Sequence, residues 1–270
     1  MAPIDPNRRI GHILSGTGIK IAGIILMTID HLHQMFIAQG APQWLNWFGR
    51  PVATMFLFLC AEGFFYTHDK KRYMLLLLGG FFFMSAMNRI LSFAMPMEHI
   101  ALINNIFGTL FLSTLSIGMI DRIRAGFTEK SPAKILSATG GMILPFVIGL
   151  LLLLALQSSN RTAVLVLLFI PNPLSVEGGL VLVFMGAAFY ILRKYRLAQA
   201  ALVLAISAVI WYLSQDSATR DFQWLMVLAV IPMFLYNGKR GKGSKYFFYI
   251  FYPAHIYLLY CVAWFLNGRI

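Results

Sequence analysis

Charged residues are scarce in this chain of 270 residues and make up only 12% of it. A soluble domain of ordinary composition carries about 25% charged residues. Hydrophobic residues account for 59% of the chain, and the mean hydropathy is +0.73. Long polar stretches are missing as well, which excludes a separate soluble domain of any size. We therefore expect a single integral membrane domain that covers residues 1–270.

Cysteine is also scarce, and acidic residues are outnumbered by basic ones. Cys60 and Cys261 both lie within apolar runs, so we expect neither a disulfide framework nor a metal site. Ten acidic residues stand against 22 basic residues, which gives a net charge of +12. In a soluble protein this excess would indicate nucleic acid binding. Here the basic residues lie in short loops, so topology explains them and no nucleic acid partner is expected.

Nine apolar runs predict an all-α, polytopic bundle of transmembrane helices. Helices satisfy their backbone groups internally within lipid, whereas a barrel would show alternating hydrophobicity. A tenth run, 162–170, is cut off by Pro171 and Pro173, and a crossing needs about 20 apolar residues. We expect this run to be a broken or re-entrant segment. The predicted spans are 19–37, 47–66, 73–95, 101–120, 135–156, 178–192, 198–213, 222–236 and 246–266.

The distribution of lysine and arginine predicts that the N-terminus is cytoplasmic and the C-terminus lies outside. Cytoplasmic loops carry an excess of basic residues. With the N-terminus inside, the clusters at 70–72, 122–134, 193–196 and 239–245 all fall on the cytoplasmic side. If 162–170 were a full span, the clusters at 193–196 and 239–245 would lie outside. Basic clusters are rare on that side, so we do not count 162–170 as a span.

Three ionisable residues interrupt the first apolar run: Asp30, His31 and His33. Such residues are costly within a membrane and mark functional sites by default. Residues three apart share a helix face, so Asp30 should lie beside His33, with His31 on another face. We predict that His31 is a general base and that Asp30 either orients an imidazole or pairs with a cation. The structural alternative is an interhelical ion pair of Asp30 with Arg89 or Arg50.

Two further polar residues lie at membrane depth in other predicted spans. His255 follows Pro253, which bends a helix and suits a cavity wall. A neutral histidine bonded to a neighbouring helix is an equally good interpretation. Arg89 carries a charge that it cannot lose. It therefore needs a carboxylate such as Asp30, a substrate anion or a developing oxyanion.

The remaining polar candidates are weaker. Glu62 lies near the cytoplasmic end of its span and could simply pair with the basic loop at 70–72. Arg50 precedes the proline that opens the second span and could be an interfacial anchor. Glu177 precedes Gly178 and Gly179, where it could line an outer vestibule or belong to a turn.

A glycine-rich basic loop occupies 236–245 on the predicted cytoplasmic side. Backbone amides together with Lys and Arg suit a phosphate-bearing ligand. Topology alone would also place these charges here, and that explanation is favoured on physical grounds. The loop lacks the Gly-Lys-Ser/Thr ending of a Walker motif.

Taken in order, these residues resemble the TraX family of inner-membrane proteins, which N-acetylate conjugative pilin. The resemblance runs through most of the chain. It is carried by LMTIDH at 26–31, GR at 49–50, NIF at 105–107, SVEGG at 175–179, YNGKRG at 236–241 and FYPAH at 251–255.

The resemblance implies a bacterial inner-membrane acetyltransferase that moves acetyl from cytoplasmic acetyl-CoA to an acceptor amine, the N-terminus of a pilin or of a similar membrane or envelope substrate. His31 would be the base, Asp30 its electrostatic support, and His255 a second acid/base or an acetyl carrier. Arg89 or Arg50 would be a polar anchor. The expected cofactor-binding residues are Asn237, Lys239, Arg240, Lys242, Lys245 and Tyr246. The expected substrate-binding residues are Arg50, Glu62, Asn105 and Glu177.

Three other functions fit the same residues. A secondary transporter would use a broken helix, midplane charges and a Gly-Gly turn, although the sequence shows no inverted repeat. An O-acetyltransferase would act on an envelope glycan. A structural assembly factor would keep Asp30 and His31 only as packing groups.

Overall fold

The computed structural model describes residues 13–98, 100–215, 222–243 and 245–267. This part of the chain contains ten α-helices and no β-strand. Short 3₁₀ turns cover Ile37–Gln39, Gln43–Gly49 and Gln223–Ala229. The α-helices are α1 (Gly16–Phe36), α2 (Val52–Tyr66), α3 (Lys70–Ala94), α4 (Ile106–Thr128), α5 (Pro132–Gln157), α6 (Arg161–Leu168), α7 (Gly179–Ile191), α8 (Arg196–Leu213), α9 (Val230–Leu235) and α10 (Lys245–Asn267).

In the part of the chain that the structure describes, seven helical segments are long and apolar enough to cross a membrane, as expected of a multi-pass, all-helical protein. Two of the nine predicted spans, 178–192 and 222–236, are shorter apolar helices at Gly179–Ile191 and Gln223–Leu235. Thirteen residues of α-helix rise only about 20 Å, less than the hydrocarbon core of about 30 Å. The count of nine crossings and the cytoplasmic N-terminus therefore stay predictions.

The interrupted run at 162–170 forms the short helix α6, as the prolines predict. The buried Asn172 closes the turn that follows, because its side-chain oxygen accepts from the backbone N–H groups of Leu174 and Ser175 at 3.0 and 3.1 Å. Its amide donates to the carbonyls of Leu167 and Ile170. A buried backbone turn needs such partners, which explains how the chain reverses here.

The described residues group into two compact units. The first takes its residues from Met1–Leu59, Met95–Ala101 and Lys194–Ile270, and the second consists of Cys60–Ala94 and Leu102–Arg193, so that one boundary falls within α2. In the first unit, α1 packs against α10 and against the 3₁₀ turn Gln43–Gly49, and α8 packs against Gln223–Ala229 and α9. In the second unit, α4 packs against α3, α5 and α7, and α5 packs against α6. A single domain for the whole chain stays a prediction.

Candidate functional site

The first unit brings together two buried histidines from opposite ends of the sequence. His31 lies on α1 and His255 on α10, with exposed fractions of 4% and 7%. Nδ1 of His31 lies 2.8 Å from Nε2 of His255, which is a hydrogen bond, and the two ring centroids are 5.0 Å apart. The two residues are 224 positions apart in the sequence. Their contact explains how two costly polar groups are accommodated within apolar helices.

The hydrogen bonds of His255 fix the positions of the ring protons in the uncharged pair. Nδ1 of His255 lies 2.8 Å from the carbonyl oxygen of Phe251. A carbonyl can only accept, so Nδ1 of His255 carries the proton and Nε2 carries the lone pair. Nδ1 of His31 must then donate to His255, which leaves the lone pair of His31 on its own Nε2. A histidine held in this tautomer can accept a proton at Nε2.

Asp30 belongs to a separate polar cluster around Arg50. One oxygen of Asp30, Oδ1, lies 3.4 Å from Nη2 of Arg50, with side-chain exposures of 15% for Asp30 and 25% for Arg50. Nη1 of Arg50 donates to the side-chain oxygen of Gln223 at 3.2 Å, and Nε donates to the carbonyl of Asn46 at 3.2 Å. Of the alternatives left open by the sequence, Asp30 thus pairs with a cation, and the cation is Arg50.

Gly49 lets the Asp30 carboxylate approach this cluster. A Cβ atom built on Gly49 would overlap the carboxylate of Asp30. Only a residue without a side chain leaves that space open. Gly49 therefore has a packing role of its own, which its position next to Arg50 in the sequence does not indicate.

His33 has a different partner from either cluster. Its Nδ1 lies 3.1 Å from the carbonyl oxygen of Ala41. This contact joins the last turn of α1 to the chain reversal that follows it. His33 is buried like His31, but its described hydrogen bond is to the backbone of Ala41.

Four other predicted site residues belong to the second unit. Arg89 lies over the ring of Phe169, with its guanidinium carbon 5.3 Å from the ring centroid. Glu62 is buried, with 7% exposure. The backbone N–H of Asn105 donates to the carboxylate of Glu177 at 3.2 Å, so the structure joins these two residues. The roles of all four in binding or catalysis stay predictions.

The glycine-rich basic loop is attached to the start of α1. The backbone N–H groups of Gly16 and Thr17 donate to the carbonyls of Lys239 and Arg240 at 2.8 and 2.9 Å. The hydroxyl of Thr17 also donates to the Arg240 carbonyl at 2.9 Å. Because the loop itself occupies these N–H groups, they are not open to a phosphate, as the N-terminus of a helix can be.

The side chains of the loop remain exposed to solvent. They belong to Lys239, Arg240 and Lys242, and Tyr246 is also exposed at the start of α10. Asn237 accepts from the backbone N–H of Lys239 at 2.9 Å, so its side chain shapes the loop. The side chain of Lys245 lies outside the described residues. Any phosphate at this loop would therefore be held by cationic side chains.

Sequence reasoning missed Gln223 and Asn46. A guanidinium carries five N–H donors, so an arginine in a predicted span needs several acceptors. The two that satisfy Arg50, besides Asp30, are a neutral amide 173 residues away and a backbone carbonyl four residues away. Neither an uncharged glutamine nor a carbonyl stands out in an apolar sequence.

Comparisons with known proteins give a consistent family. The chain is 24% identical over 266 residues to the "probable fimbrial assembly protein FimC, serogroup H1" of Dichelobacter nodosus, and the alignment covers 92% of this chain and 96% of that protein. No solved structure matches the chain significantly. The family model described as "TraX protein" matches residues 15–263, which include both polar clusters and the basic loop. The chain therefore belongs to the TraX family.

Proposed function

We propose that this protein is an acetyltransferase of the bacterial inner membrane, which moves acetyl from acetyl-CoA to the amine of a pilin or a similar envelope protein. The single observation that supports it best is the buried hydrogen bond of 2.8 Å between His31 and His255. That bond holds the lone pair of His31 on Nε2, as a general base requires. The fimbrial assembly role named for the relative supports an acceptor of the pilin type.

The proposed reaction needs a proton acceptor, a donor or cation that stabilises the oxyanion of the tetrahedral intermediate, and a dry site. His31 takes a proton from the acceptor amine at Nε2 while the amine nitrogen attacks the thioester carbonyl. A C–N bond forms, the C–S bond breaks, and the departing thiolate takes the proton from His31. His255 accepts from Nδ1 of His31 throughout and so holds the ring and stabilises its charged form. Burial of both rings keeps out water, which would otherwise hydrolyse the thioester.

The basic loop is the proposed site for the phosphates of acetyl-CoA. Lys239, Arg240 and Lys242 expose their side chains there, and the sequence predicts that this end of α1 is cytoplasmic. From Thr17 to His31 the helix rises roughly 21 Å. The pantetheine arm of coenzyme A is an extended chain of that order, so it could carry the thioester to the histidines.

Removing two of these charges should weaken the binding of acetyl-CoA. We expect the Lys239→Ala/Arg240→Ala variant to raise the Kd about tenfold, with a larger effect at low salt, because exposed charge pairs are screened by ions. Equilibrium binding of acetyl-CoA in detergent at two salt concentrations measures this. The Lys71→Ala/Arg72→Ala variant loses the same charge from another exposed pair and serves as the control. Equal affinities of the two variants would remove the loop from the donor site.

The proposed function is tested by following free thiol release from acetyl-CoA by the purified protein in detergent. We expect saturable release that rises when a short apolar peptide with a free N-terminal amine is added, with acetylated peptide as the product. The His31→Ala variant, purified in the same way, controls for contaminating thioesterase. A folded protein that neither binds acetyl-CoA nor acetylates any added amine would overturn the proposal.

A further inference from the structure

One face of α1 carries a cation at one end and the proposed base at the other. This face consists of Lys20, Ile24, Met27 and His31, which follow one another at steps of four, three and four residues. The basic loop is bonded to the first two residues of α1, about one turn before Lys20. Lys20 therefore lies between the loop and His31 along the helix.

The same face of α1 contacts α10 at both of its ends. At the loop end, the ammonium nitrogen of Lys20 lies 5.1 Å from the centroid of the Phe248 ring. At the other end is the hydrogen bond between His31 and His255. Helices α1 and α10 pack against each other, so both contacts belong to one helix pair. The surface between these two contacts, which we call the α1–α10 seam, carries Ile24, Met27, Phe251 and Tyr252.

The α10 side of the seam is aromatic and is fixed to the histidine pair. The ring of Phe251 stacks on His255, with centroids 5.0 Å apart and an angle of 14° between the planes. The ring of Tyr252 meets His255 at an angle, with centroids 5.9 Å apart. The carbonyl of Phe251 also accepts from Nδ1 of His255. A chain that follows these rings from Phe248 therefore arrives at the buried histidines.

Burial increases along the seam from the loop end to the histidines. Lys20, Ile24 and Phe248 are half-buried, whereas Met27 is only 6% exposed. The seam is thus a shallow groove at the loop end and closed next to His31. Methionine is unbranched and flexible, so the side chain of Met27 can move aside at little cost. A thin apolar chain in the groove needs to displace only this side chain to reach His31.

The length of the seam matches one part of the proposed donor. From Lys20 to His31 the helix rises about 16 Å. In coenzyme A about thirteen bonds join the phosphorus at the head of the pantetheine arm to the sulfur, and three extended backbone bonds span about 3.5 Å, so the arm spans about 15 Å. This is less than the rise of roughly 21 Å from Thr17 to His31. With the thioester at His31, the phosphate at the head of the arm therefore lies at Lys20.

We propose that Lys20 binds the phosphate at the head of the pantetheine arm, that the α1–α10 seam holds the arm, and that Lys20 thereby sets the depth at which the thioester meets His31. The lysine ammonium is a compact charge of the kind that binds phosphate. The basic loop then holds the nucleotide end of the donor. The inference rests on the proposed function and adds a donor-positioning residue that lies outside the loop.

The test measures the equilibrium binding of three thioesters in detergent: acetyl-CoA, S-acetyl-4′-phosphopantetheine, which lacks the nucleotide, and S-acetylpantetheine, which lacks every phosphate. Lys20→Met removes the charge and keeps an unbranched side chain. We expect it to raise the Kd of the first two about tenfold, through loss of a charge-assisted contact, and to leave the third unchanged. Lys20→Arg keeps a cation and should restore most of the affinity. An unchanged Kd for S-acetyl-4′-phosphopantetheine in Lys20→Met would overturn the role of Lys20.

The basic loop provides a contrast within the same measurement. The Lys239→Ala/Arg240→Ala variant should bind acetyl-CoA more weakly but S-acetyl-4′-phosphopantetheine as well as the wild type does, because the loop holds the part that this thioester lacks. If the loop variant lost as much affinity for S-acetyl-4′-phosphopantetheine as Lys20→Met, both sites would act only through their general positive charge. That result would overturn the specific place of Lys20.

Lys70→Met is the matched control for the loss of a lysine beside a ring. The ammonium nitrogen of Lys70 lies 5.1 Å from the centroid of the Phe64 ring, the same distance as at Lys20, but in the second unit. We expect Lys70→Met to leave the Kd of all three thioesters unchanged. An equal rise of Kd in Lys70→Met would show a general effect on the fold and would overturn the assignment of Lys20.

The length of the arm gives a second test, with the wild-type protein. An S-acetyl-4′-phosphopantetheine analogue without the β-alanine unit is about four bonds shorter, or about 5 Å, close to one helical turn. We expect it to bind but to transfer acetyl at least about 100-fold more slowly, because its thioester stops short of His31. Equal transfer from both arms would overturn the depth set by Lys20 and leave the transferase standing. Absence of binding and of thiol release with acetyl-CoA itself would overturn the proposed function.

Discussion

Replacing His31 with alanine should lower the rate of acetyl transfer by about 10²- to 10⁴-fold, the usual contribution of a general base. The rate constant kcat should fall while the Kd for acetyl-CoA stays close to that of the wild type, because the basic loop is unchanged. Single-turnover thiol release in detergent, with bound acetyl-CoA measured separately, separates the two quantities. A preserved rate would remove His31 from the chemistry.

His33→Ala is the matched control for this experiment. It also removes a buried histidine from α1, but that histidine bonds to the backbone of Ala41 and not to His255. We expect His33→Ala to change thermal stability more than turnover. A similar loss of turnover in both variants would indicate that the histidines only support the packing of α1.

Two variants of His255 separate a positioning role from a covalent one. His255→Gln offers a side-chain oxygen near the place of Nε2, so Nδ1 of His31 can still donate to it. His255→Leu fills similar space with no acceptor and leaves a buried donor unpaired. If His255 holds the tautomer of His31, the glutamine variant keeps more activity than the leucine variant. If His255 carried the acetyl group, both variants would be equally inactive.

Replacing Gly49 with alanine should displace the Asp30 carboxylate, because the new Cβ would occupy the same space. Overpacking of this kind costs about 1–3 kcal/mol, and here it also disrupts the ion pair with Arg50. We expect a lower midpoint of thermal unfolding in detergent and a slower acetyl transfer. Gly63→Ala is the control, because a Cβ there has no atom within 4 Å.

A double variant shows whether the overlap is the cause. In the Asp30→Ala background the carboxylate is gone, so adding Gly49→Ala should cost no further stability. Such non-additivity is the signature of two residues in direct contact. If Gly49→Ala costs as much in that background as in the wild type, its effect comes from the backbone and the steric account is wrong.

The sequence predicted the helices well because the membrane restricts the choices. Long apolar runs identified the seven described helical segments that are long and apolar enough to cross a membrane, and Pro171 correctly predicted the end of α6. The runs predicted at 178–192 and 222–236 match Gly179–Ile191 and Gln223–Leu235 to within one residue at each end, but both segments are shorter than the seven candidate membrane spans. Gly178, which precedes α7, and Gly179, its first residue, adopt positive φ angles, and a 3₁₀ turn precedes α9.

The sequence identified single residues of the candidate site but not their partners. The high free energy of a polar group in lipid shows which residues need a partner, not which residue the partner is. Asp30, His31, His255 and Arg89 stood out as ionisable groups at membrane depth, whereas Arg50 was a weaker candidate at the start of the second span. The sequence left two arginines open as partners of Asp30 and two roles open for His255. The structure places Arg50 beside Asp30 and His255 beside His31.

What the sequence determined by itself is the membrane-embedded, all-helical character of the protein and the short set of polar residues that lipid would not tolerate without a reason. Both follow from local physics, since apolar runs and backbone hydrogen bonds within a helix involve residues only a few positions apart. The tertiary structure alone decided which polar groups meet and which ring nitrogen carries the proton. His31 and His255 are 224 positions apart, so only the packing of α1 against α10 could join them.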